Sequence, residues 1–258
     1  MENFDELVRV MARLRSPDGC PWDREQTHRS LRPYMVEEVY EALEAVDEED
    51  WRRLCDELGD VLLQVVFHAQ LASERGDFDI GDVCDKIVWK LKRRHPHVFA
   101  DSIADTPDEV IDRWEKLKRE EDGYQDRESA VDGIPASLPA LQRAHKLQKR
   151  ASRAGFDWDE IAGPRAKIDE ELQEVDEAAG GGADARTVED EVGDLLFAVV
   201  NLARFLDVEP EGALRRANER FSRRFRAVEQ RAGGSRRLRE MDLEEMDQLW
   251  ERAKAEEA

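Results

Sequence analysis

Four carboxylates in the second half of the sequence have a spacing that could bind a divalent cation. Glu171 and Glu174 form one pair, and Glu191 and Asp194 form another. Within each pair the two acids are three positions apart, which places both on one face of a helix. A glycine-rich turn centred near Gly182 separates the pairs. If the flanking segments fold back as an antiparallel hairpin, all four acids lie at the same height to within one turn, ~5.4 Å.

Clustered carboxylates repel one another unless a cation lies between them. Mg²⁺ or Mn²⁺, which prefer oxygen ligands, are the cations that suit such a cluster. Because the chain has 61 acidic residues in 258, a single pair at this spacing is weak evidence. A solvated helix face is the ordinary explanation of one pair.

The pattern of acid pairs occurs twice in the sequence, and this repetition favours the metal hypothesis. The copy in the first half consists of Glu38, Glu41, Glu57 and Asp60. The offset is 133 residues from Glu38 to Glu171 and 134 residues from Asp60 to Asp194. Gly59 and Gly193 also correspond, and a glycine inside a helix costs roughly 1 kcal/mol relative to alanine. We therefore expect a close approach of another segment at each glycine, for which simple helix packing is an equally good explanation.

The repeat and the apolar periodicity predict an all-α protein, a tandem repeat of two helical-bundle modules. We expect a first module at 1–122, a linker at 123–139 and a second module, the better catalyst, at 140–258. The linker is indicated by Gly133, Pro135 and Pro139. The run from Val61 to Phe67 is apolar nearly all round, so further helices or a second subunit must cover it.

The positions of proline, glycine and helix-capping residues predict where the helices begin and end. The predicted helices of the first module are Phe4–Arg15, Leu31–Val46, Trp51–Arg75, Asp82–Arg94 and one that starts at Thr106–Glu109 and carries Trp114. Those of the second module are Ala140–Arg153, the two acid-bearing helices, Pro210–Arg231 and Leu243–Lys254. The segment Cys20–His28 is predicted to be an irregular loop.

Composition excludes several partners. A net charge of −21 argues against binding nucleic acid or an anionic membrane, although a small anionic substrate remains possible with metal and local basic residues. Three cysteines without ligand spacing are typical of reduced thiols. Because no apolar run reaches ~18 residues and the N-terminus is polar, we expect a cytoplasmic protein.

Basic, polar and aromatic residues of the second half could bind a phosphorylated ligand. Guanidinium groups suit phosphate oxygens, an asparagine offers a donor and an acceptor, and an indole can stack on a base. The candidates are Lys167, Asn201, Arg220, Arg223, Arg224 and Trp250. Surface ion pairing is an equally good explanation of the arginines, and a place in the core is the commoner role of such a tryptophan. At the positions of Lys167 and Asn201 the first module has Tyr34 and Phe67, so the second module is expected to be the better catalyst.

Three segments of the sequence resemble the MazG nucleoside triphosphate pyrophosphohydrolases across essentially the whole chain. They are CPWDREQTHRSLRPYMVEEVYEALEA, CDELGDVLLQVVFHAQLA and KIDEELQEV…VEDEVGDLLFAVVNLAR…ANERFSRRF. The resemblance implies an all-α NTP pyrophosphatase fold that works as a homodimer. It also implies Mg²⁺-dependent hydrolysis of nucleoside triphosphates to the monophosphate and pyrophosphate, with broad specificity and a role in nucleotide-pool housekeeping.

The resemblance also implies roles for individual residues. Glu171, Glu174, Glu191 and Asp194 would hold the metal. The nucleotide would contact Lys167, Ile168, Asp169, Glu170, Glu171, the segment Arg220–Arg224 and Trp250. We expect Glu170 to orient or deprotonate the attacking water, a role for which a merely solvated glutamate is the alternative.

Two other functions are compatible with the sequence. One is a metal-dependent phosphatase that removes a single phosphate, and the products distinguish it from a pyrophosphohydrolase. The other is a helical interaction protein whose acids only maintain solubility, which predicts no Mg²⁺-dependent nucleotide binding. For the first module we expect weak metal binding or a role in assembly.

Overall fold

The computed structural model describes residues 2–100, 106, 110 and 128–256, and their regular secondary structure is α-helical. The predicted all-α fold is confirmed. The chain divides into two compact units, Met1–Asp122 and Gly123–Ala258. Most of the helix predicted to start at Thr106–Glu109, including Trp114, lies outside the described residues, as does the first part of the predicted linker. None of the described helices is long and apolar enough to cross a lipid bilayer.

The helices of the first unit begin and end close to the predicted positions. They are α1 (Glu2–Leu14), α2 (Pro21–Glu25), α3 (Arg32–Asp47), α4 (Trp51–Ser73), α5 (Ile80–Arg94) and α6 (Pro96–Phe99). The prediction of an irregular loop at Cys20–His28 was wrong in part, because α2 forms there. Pro21 occupies the first turn of α2, where a missing N–H group costs no intrahelical hydrogen bond.

The core of the first unit holds α1 against α4. Met11, Leu31, Val66, Phe67 and Leu71 form a buried cluster, and further side chains of α1 and α4 pack around it. This cluster covers one side of the apolar α4 and includes none of the acid pairs of α3 and α4.

A bidentate ion pair closes one end of this core. Arg15 donates from Nε and Nη2 to the two carboxylate oxygens of Glu74, both at 2.7 Å, and its guanidinium also lies over the Phe67 ring. These contacts tie the end of α1 to the end of α4.

The second unit contains six helices among the residues described. They are α7 (Ala140–Arg153), α8 (Ala162–Gly180), α9 (Ala185–Phe205), α10 (Pro210–Ala232), α11 (Ser235–Leu238) and α12 (Leu243–Ala255). Helix α9 packs along α8 and also contacts α7 and α10, while α10 packs against α12. A small core of Val228, Ala232, Leu238 and Ala253 joins α10, α11 and α12. The helical hairpin α8–α9 is therefore supported from two sides.

The expected close approach at the two corresponding glycines is not found. A Cβ atom built on Gly59 or Gly193 would meet no described atom within 4 Å. Both glycines therefore face open space in this chain, and the prediction was wrong for contacts within one subunit. By contrast, Gly182 adopts a positive φ of 74°, which explains the glycine at the turn between α8 and α9.

Candidate active site

The hairpin of α8 and α9 sets the position of the second-unit acids. Only residues 181–184 separate the two helices, so they pack side by side. Asp184 begins α9 as its N-cap, where its side chain accepts a hydrogen bond from the backbone N–H of Thr187. This bond also lowers the pKa of Asp184. The cap fixes the residue at which α9 begins and therefore the direction of each side chain further along it.

Three of the four predicted ligands converge between α8 and α9. Glu171, Glu191 and Asp194 each offer a carboxylate oxygen, and these oxygens all lie within 4.8 Å of one another. Glu171 is only 5% exposed, Glu191 is half-buried and Asp194 is exposed. Such a graded arrangement leaves the group open to solvent on one side.

Glu174 lies beside the other three acids but outside that closest group. A hydrogen bond with the Glu171 carboxyl raises the pKa of Glu174, and loss of hydration and the charges of Glu171 and Glu191 raise it further. Two carboxyl groups can share a hydrogen bond only if one is protonated. Glu174 therefore retains a proton more readily than an isolated carboxyl would.

Lys167 provides a positive charge next to the most buried acid. Its ammonium nitrogen lies 2.6 Å from Glu171 Oε1 and 2.9 Å from Glu170 Oε1. Hydrogen bonds to these two carboxylates, the stronger to Glu171, raise the pKa of Lys167. Ile168 is half-buried and Asp169 is exposed on the same turn of α8. The segment 167–171 thus presents one positive and three negative side chains at the edge of the acid cluster.

Asn201 belongs to a hydrogen-bonded chain that sequence reasoning missed. Its Oδ1 accepts a hydrogen bond of 2.8 Å from Arg204 Nε. Both terminal nitrogens of Arg204 donate to Asp157, at 2.9 and 2.5 Å, and these bonds lower the pKa of Asp157. With its oxygen occupied, the Asn201 amide is left with N–H donors for a ligand. The signal for Arg204 was its position three residues after Asn201 on one helix face.

The predicted cationic residues lie on α10 and the predicted stacking residue on α12. Arg220 and Arg223 are exposed and Arg224 is half-buried. Trp250 packs against the small core of this region, and its ring centroid lies 5.2 Å from that of Phe221. The structure therefore gives Trp250 a packing role, which was the alternative considered for it.

The first unit repeats the acid cluster between the middle of α3 and the first half of α4. Glu38, Glu41 and Glu57 offer carboxylate oxygens within 4.8 Å of one another, and Asp60 lies outside this closest group. Loss of hydration and then the charge of Asp60 raise the pKa of Glu38, while loss of hydration and then Glu57 raise that of Glu41. The negative charges of these acids therefore repel one another here as well.

The first cluster contains an arginine that the sequence analysis did not single out. Arg53 Nε lies 3.2 Å from Glu57 Oε1, and Arg53 Nη1 lies 2.9 Å from Glu48 Oε2. Its Nη2 forms a third ion pair, with Glu44. The spacing of four residues between Arg53 and Glu57 was the available signal, because it places both side chains on one helix face.

The donor atoms of both clusters suit a hard divalent cation. In each closest group all donors are carboxylate oxygens, with no thiol or imidazole among them. Such a set favours Mg²⁺, Mn²⁺ or Ca²⁺ over softer metals. The fold and the donor set together define an all-α protein with paired helices whose carboxylates converge.

Comparisons with known proteins identify the family. Residues 26–99 match the model of the MazG nucleotide pyrophosphohydrolase domain. Over 260 residues the chain is 50% identical to a nucleoside triphosphate pyrophosphohydrolase of Escherichia coli K12, covering 100% of this chain and 99% of the relative. It is 49% identical over 252 residues to the nucleoside triphosphate pyrophosphohydrolase/pyrophosphatase MazG of Thermotoga maritima, covering 97% and 95%. A Mycobacterium tuberculosis relative with the first of these names is 34% identical over 255 residues, covering 93% and 74%. The chain belongs to the MazG family.

Proposed function

We propose that this protein is a cytoplasmic nucleoside triphosphate pyrophosphohydrolase whose second unit is the catalyst. The observation that carries the proposal is the convergence of Glu171, Glu191 and Asp194 beside Lys167. The family and the names of its relatives support the same activity. Broad specificity for ribo- and deoxyribonucleoside triphosphates, with a role in nucleotide-pool housekeeping, is part of the proposal.

We propose Mg²⁺ as the metal, held by Glu171, Glu174, Glu191 and Asp194, with Mn²⁺ as a substitute. When bound, the ion would neutralise charge on the phosphate oxygens as pyrophosphate departs. The pKa of Glu174 is raised, most by Glu171, and a cation bound beside these carboxylates would favour the ionised form of Glu174.

Other residues of this chain bind the nucleotide and prepare the water. Lys167 lies where its ammonium group can move from Glu171 to a phosphate oxygen. Glu170 is the proposed group that accepts the water proton, and Lys167 at 2.9 Å fixes its carboxylate. The new bond joins the water oxygen to phosphorus, the bridging P–O bond breaks, and pyrophosphate leaves with the electron pair.

We propose that Arg220, Arg223 and Arg224 meet the outer phosphates from α10. Guanidinium forks match phosphate oxygens better than an ammonium does. Asn201 would donate its amide N–H groups to an acceptor of the nucleotide, since Arg204 already occupies its oxygen. Trp250 would contact the nucleotide with the part of its ring that the core leaves uncovered.

The first unit is proposed to bind metal more weakly through Glu38, Glu41, Glu57 and Asp60, or to serve assembly. It lacks counterparts of the polar Lys167 and Asn201. One of the residues in their place, Phe67, lies in the buried core of the first unit and is unavailable to a ligand.

We further propose that the protein works as a homodimer. Several large apolar side chains of the second unit are exposed on α8, α9 and α10. They are Leu172, Leu196, Phe197, Val199 and Phe221. Leu196, for example, is 53% exposed beside the open Gly193. Exposed apolar area on this scale is typical of a surface that another subunit covers.

The products of the reaction test the proposed activity. Nucleoside triphosphate is incubated with the protein and Mg²⁺ or a chelator, and pyrophosphate and orthophosphate are measured separately. Pyrophosphate with stoichiometric monophosphate, formed only with the metal, is the expected result, and Asp194→Asn should reduce it at least ~100-fold. Release of orthophosphate alone would indicate a phosphatase. If calorimetry detects no Mg²⁺-dependent nucleotide binding, the proposed catalytic function is contradicted. The molar mass measured by light scattering tests the proposed homodimer.

A further inference from the structure

Arg53 distinguishes the first acid cluster from the second. Its guanidinium group bridges two helices, contacting Glu44 and Glu48 at the end of α3 and Glu57 on α4. Glu57 is one of the three acids whose oxygens converge in this cluster. A permanently charged group therefore already occupies one of the potential metal ligands.

The environment of Arg53 makes this charge effective. The side chains of Arg53 and Glu57 are 33% and 14% exposed, so water screens their interaction only partly. The three carboxylates engage Nε and both Nη atoms, which leaves the guanidinium little freedom to turn away. A divalent ion that bound Glu57 would be repelled by a cation on the same carboxylate.

The second cluster has no cation at the corresponding position. An offset of 134 residues brings Arg53 to Thr187, a neutral residue whose hydroxyl donates to the cap Asp184 at 3.0 Å. The cation of the second cluster is Lys167, on the other helix of its hairpin. Its side chain is 38% exposed and is a flexible point charge, so it can move aside when a metal binds.

We propose that Arg53 is a resident counter-ion that occupies Glu57 and lowers the affinity of the first cluster for divalent cations. This inference rests on the proposed metal-binding role of that cluster. Arg53 thereby makes the two copies of one acid pattern unequal, so that metal fills the second unit first.

Manganese binding to the full chain tests the proposal. The parent protein carries Glu171→Gln and Asp194→Asn, so that Glu191 alone remains of the closest group in the second unit, and free Mn²⁺ is measured by electron paramagnetic resonance. Arg53→Thr, which copies the second unit, should bind Mn²⁺ at least about tenfold more tightly, since one charge ~6 Å from a divalent ion has that effect even under water-like screening. Arg53→Lys keeps the charge but loses the three-point hold on the carboxylates, so its Mn²⁺ affinity should lie between those of the parent and Arg53→Thr.

Two further variants keep the result interpretable. Arg9→Thr removes an arginine that pairs with Glu6 on the exposed face of α1, so the net charge changes equally while the cluster does not. Its Mn²⁺ affinity should stay within about twofold of the parent. If circular dichroism shows that Arg53→Thr unfolds, Arg53→Gln replaces it, since an amide can still donate to Glu44 and Glu48.

Unchanged or weaker Mn²⁺ binding in Arg53→Thr would overturn the proposal and make Arg53 a residue that positions Glu57. Absence of Mn²⁺ binding in every variant would overturn it as well, because no metal site would exist for Arg53 to oppose. Mg²⁺-dependent pyrophosphate release by the unsubstituted chain is measured alongside. This assay tests the proposed catalytic function whether or not Arg53 affects Mn²⁺ binding.

Discussion

Replacing Glu171 with glutamine should separate metal binding from stability. Glutamine has nearly the same shape as the buried glutamate, so packing changes little, but the ligand charge is lost. Lys167 keeps its second partner, Glu170, and is not left unpaired. We therefore expect Glu171→Gln to fold normally without metal and to lose the response to Mg²⁺.

The distances in the cluster give the magnitude of the effect without metal. At 4.8 Å and an effective dielectric constant of about 20, Glu171 is repelled by Glu191 and by Asp194 by about 3.5 kcal/mol each. The attraction to Lys167 at 2.6 Å is about 6 kcal/mol on the same scale, and solvent near the exposed partners reduces all three. The contributions nearly cancel, so the free energy of unfolding should change by about 1 kcal/mol or less.

Calorimetry with and without Mg²⁺ measures both consequences. In the unsubstituted protein, Mg²⁺ at one hundred times its dissociation constant stabilises the site by about 2.7 kcal/mol. For a unit of this size that corresponds to a rise in melting temperature of roughly 10 °C. Glu171→Gln should show a rise of less than about 2 °C and at least a hundredfold lower rate of pyrophosphate release.

Glu177→Gln is the matched control, because Glu177 lies on the same helix and is also hydrogen-bonded, to Gln173. It should keep the full Mg²⁺ response. A Glu171→Gln protein that retained the magnesium-dependent rise in melting temperature would refute the assignment of Glu171 as a ligand. A loss of several kcal/mol without metal would show instead that this carboxylate is needed to neutralise Lys167.

Three further predictions concern the ion pairs and the histidine. Arg204 lowers the pKa of Asp157, so this pair stabilises the folded second unit above pH 3.8, and the stabilisation is lost as pH falls through the folded-state pKa. In urea unfolding measured at several pH values, Asp157→Asn should remove this part of the acid sensitivity. Burial and then the charge of the neighbouring His28 lower the pKa of His68, so the free energy of unfolding should fall as pH decreases from 6.5 towards the folded-state pKa. His68→Gln should make the free energy of unfolding less dependent on pH in this range. NMR titration of the His68 ring should show protonation over the same pH range. Arg15→Met leaves Glu74 without its buried partner and should destabilise the first unit by about 3 kcal/mol in urea unfolding. An effect below about 0.5 kcal/mol would show that the pair contributes no more than a solvent-screened surface ion pair.

The helices were predictable because their boundaries have local causes. Asp50 caps α4 through the backbone N–H groups of Arg52 and Arg53, and α7 starts directly after Pro139, as the sequence indicates. The short α2 was missed because a single turn leaves too few residues for a periodic pattern. Its formation depends on contacts of the neighbouring loop, among them hydrogen bonds from Arg15 to the carbonyls of Asp23 and Gln26.

The convergence of the acids could be expected from spacing, but their exact grouping could not. Spacing fixes the helix face, whereas the reach and rotamer of each side chain decide which oxygens meet. Glu174 therefore hydrogen-bonds to Glu171 instead of joining the closest group. The pairing of Arg204 with Asp157 spans 47 positions and depends on how α9 packs beside α7.

The contacts of the two corresponding glycines could not be predicted from the sequence. Repetition of Gly59 and Gly193 at the same place indicated a constraint, yet no described atom of the chain lies near either position. The second subunit that we propose is one source of such a constraint. Substitution to alanine should therefore leave each unit folded while altering association.

The caps of the two hairpins have a consequence for how the sequence can change. Asp50 stands seven positions before Glu57, and Asp184 stands seven positions before Glu191, which is about two helical turns. Residues inserted ahead of either aspartate lengthen only the turn and leave the ligand at its angle. A single residue inserted between aspartate and glutamate would rotate the glutamate by about 100° away from its partners. Variation in length is thus tolerated on one side of each aspartate and not on the other.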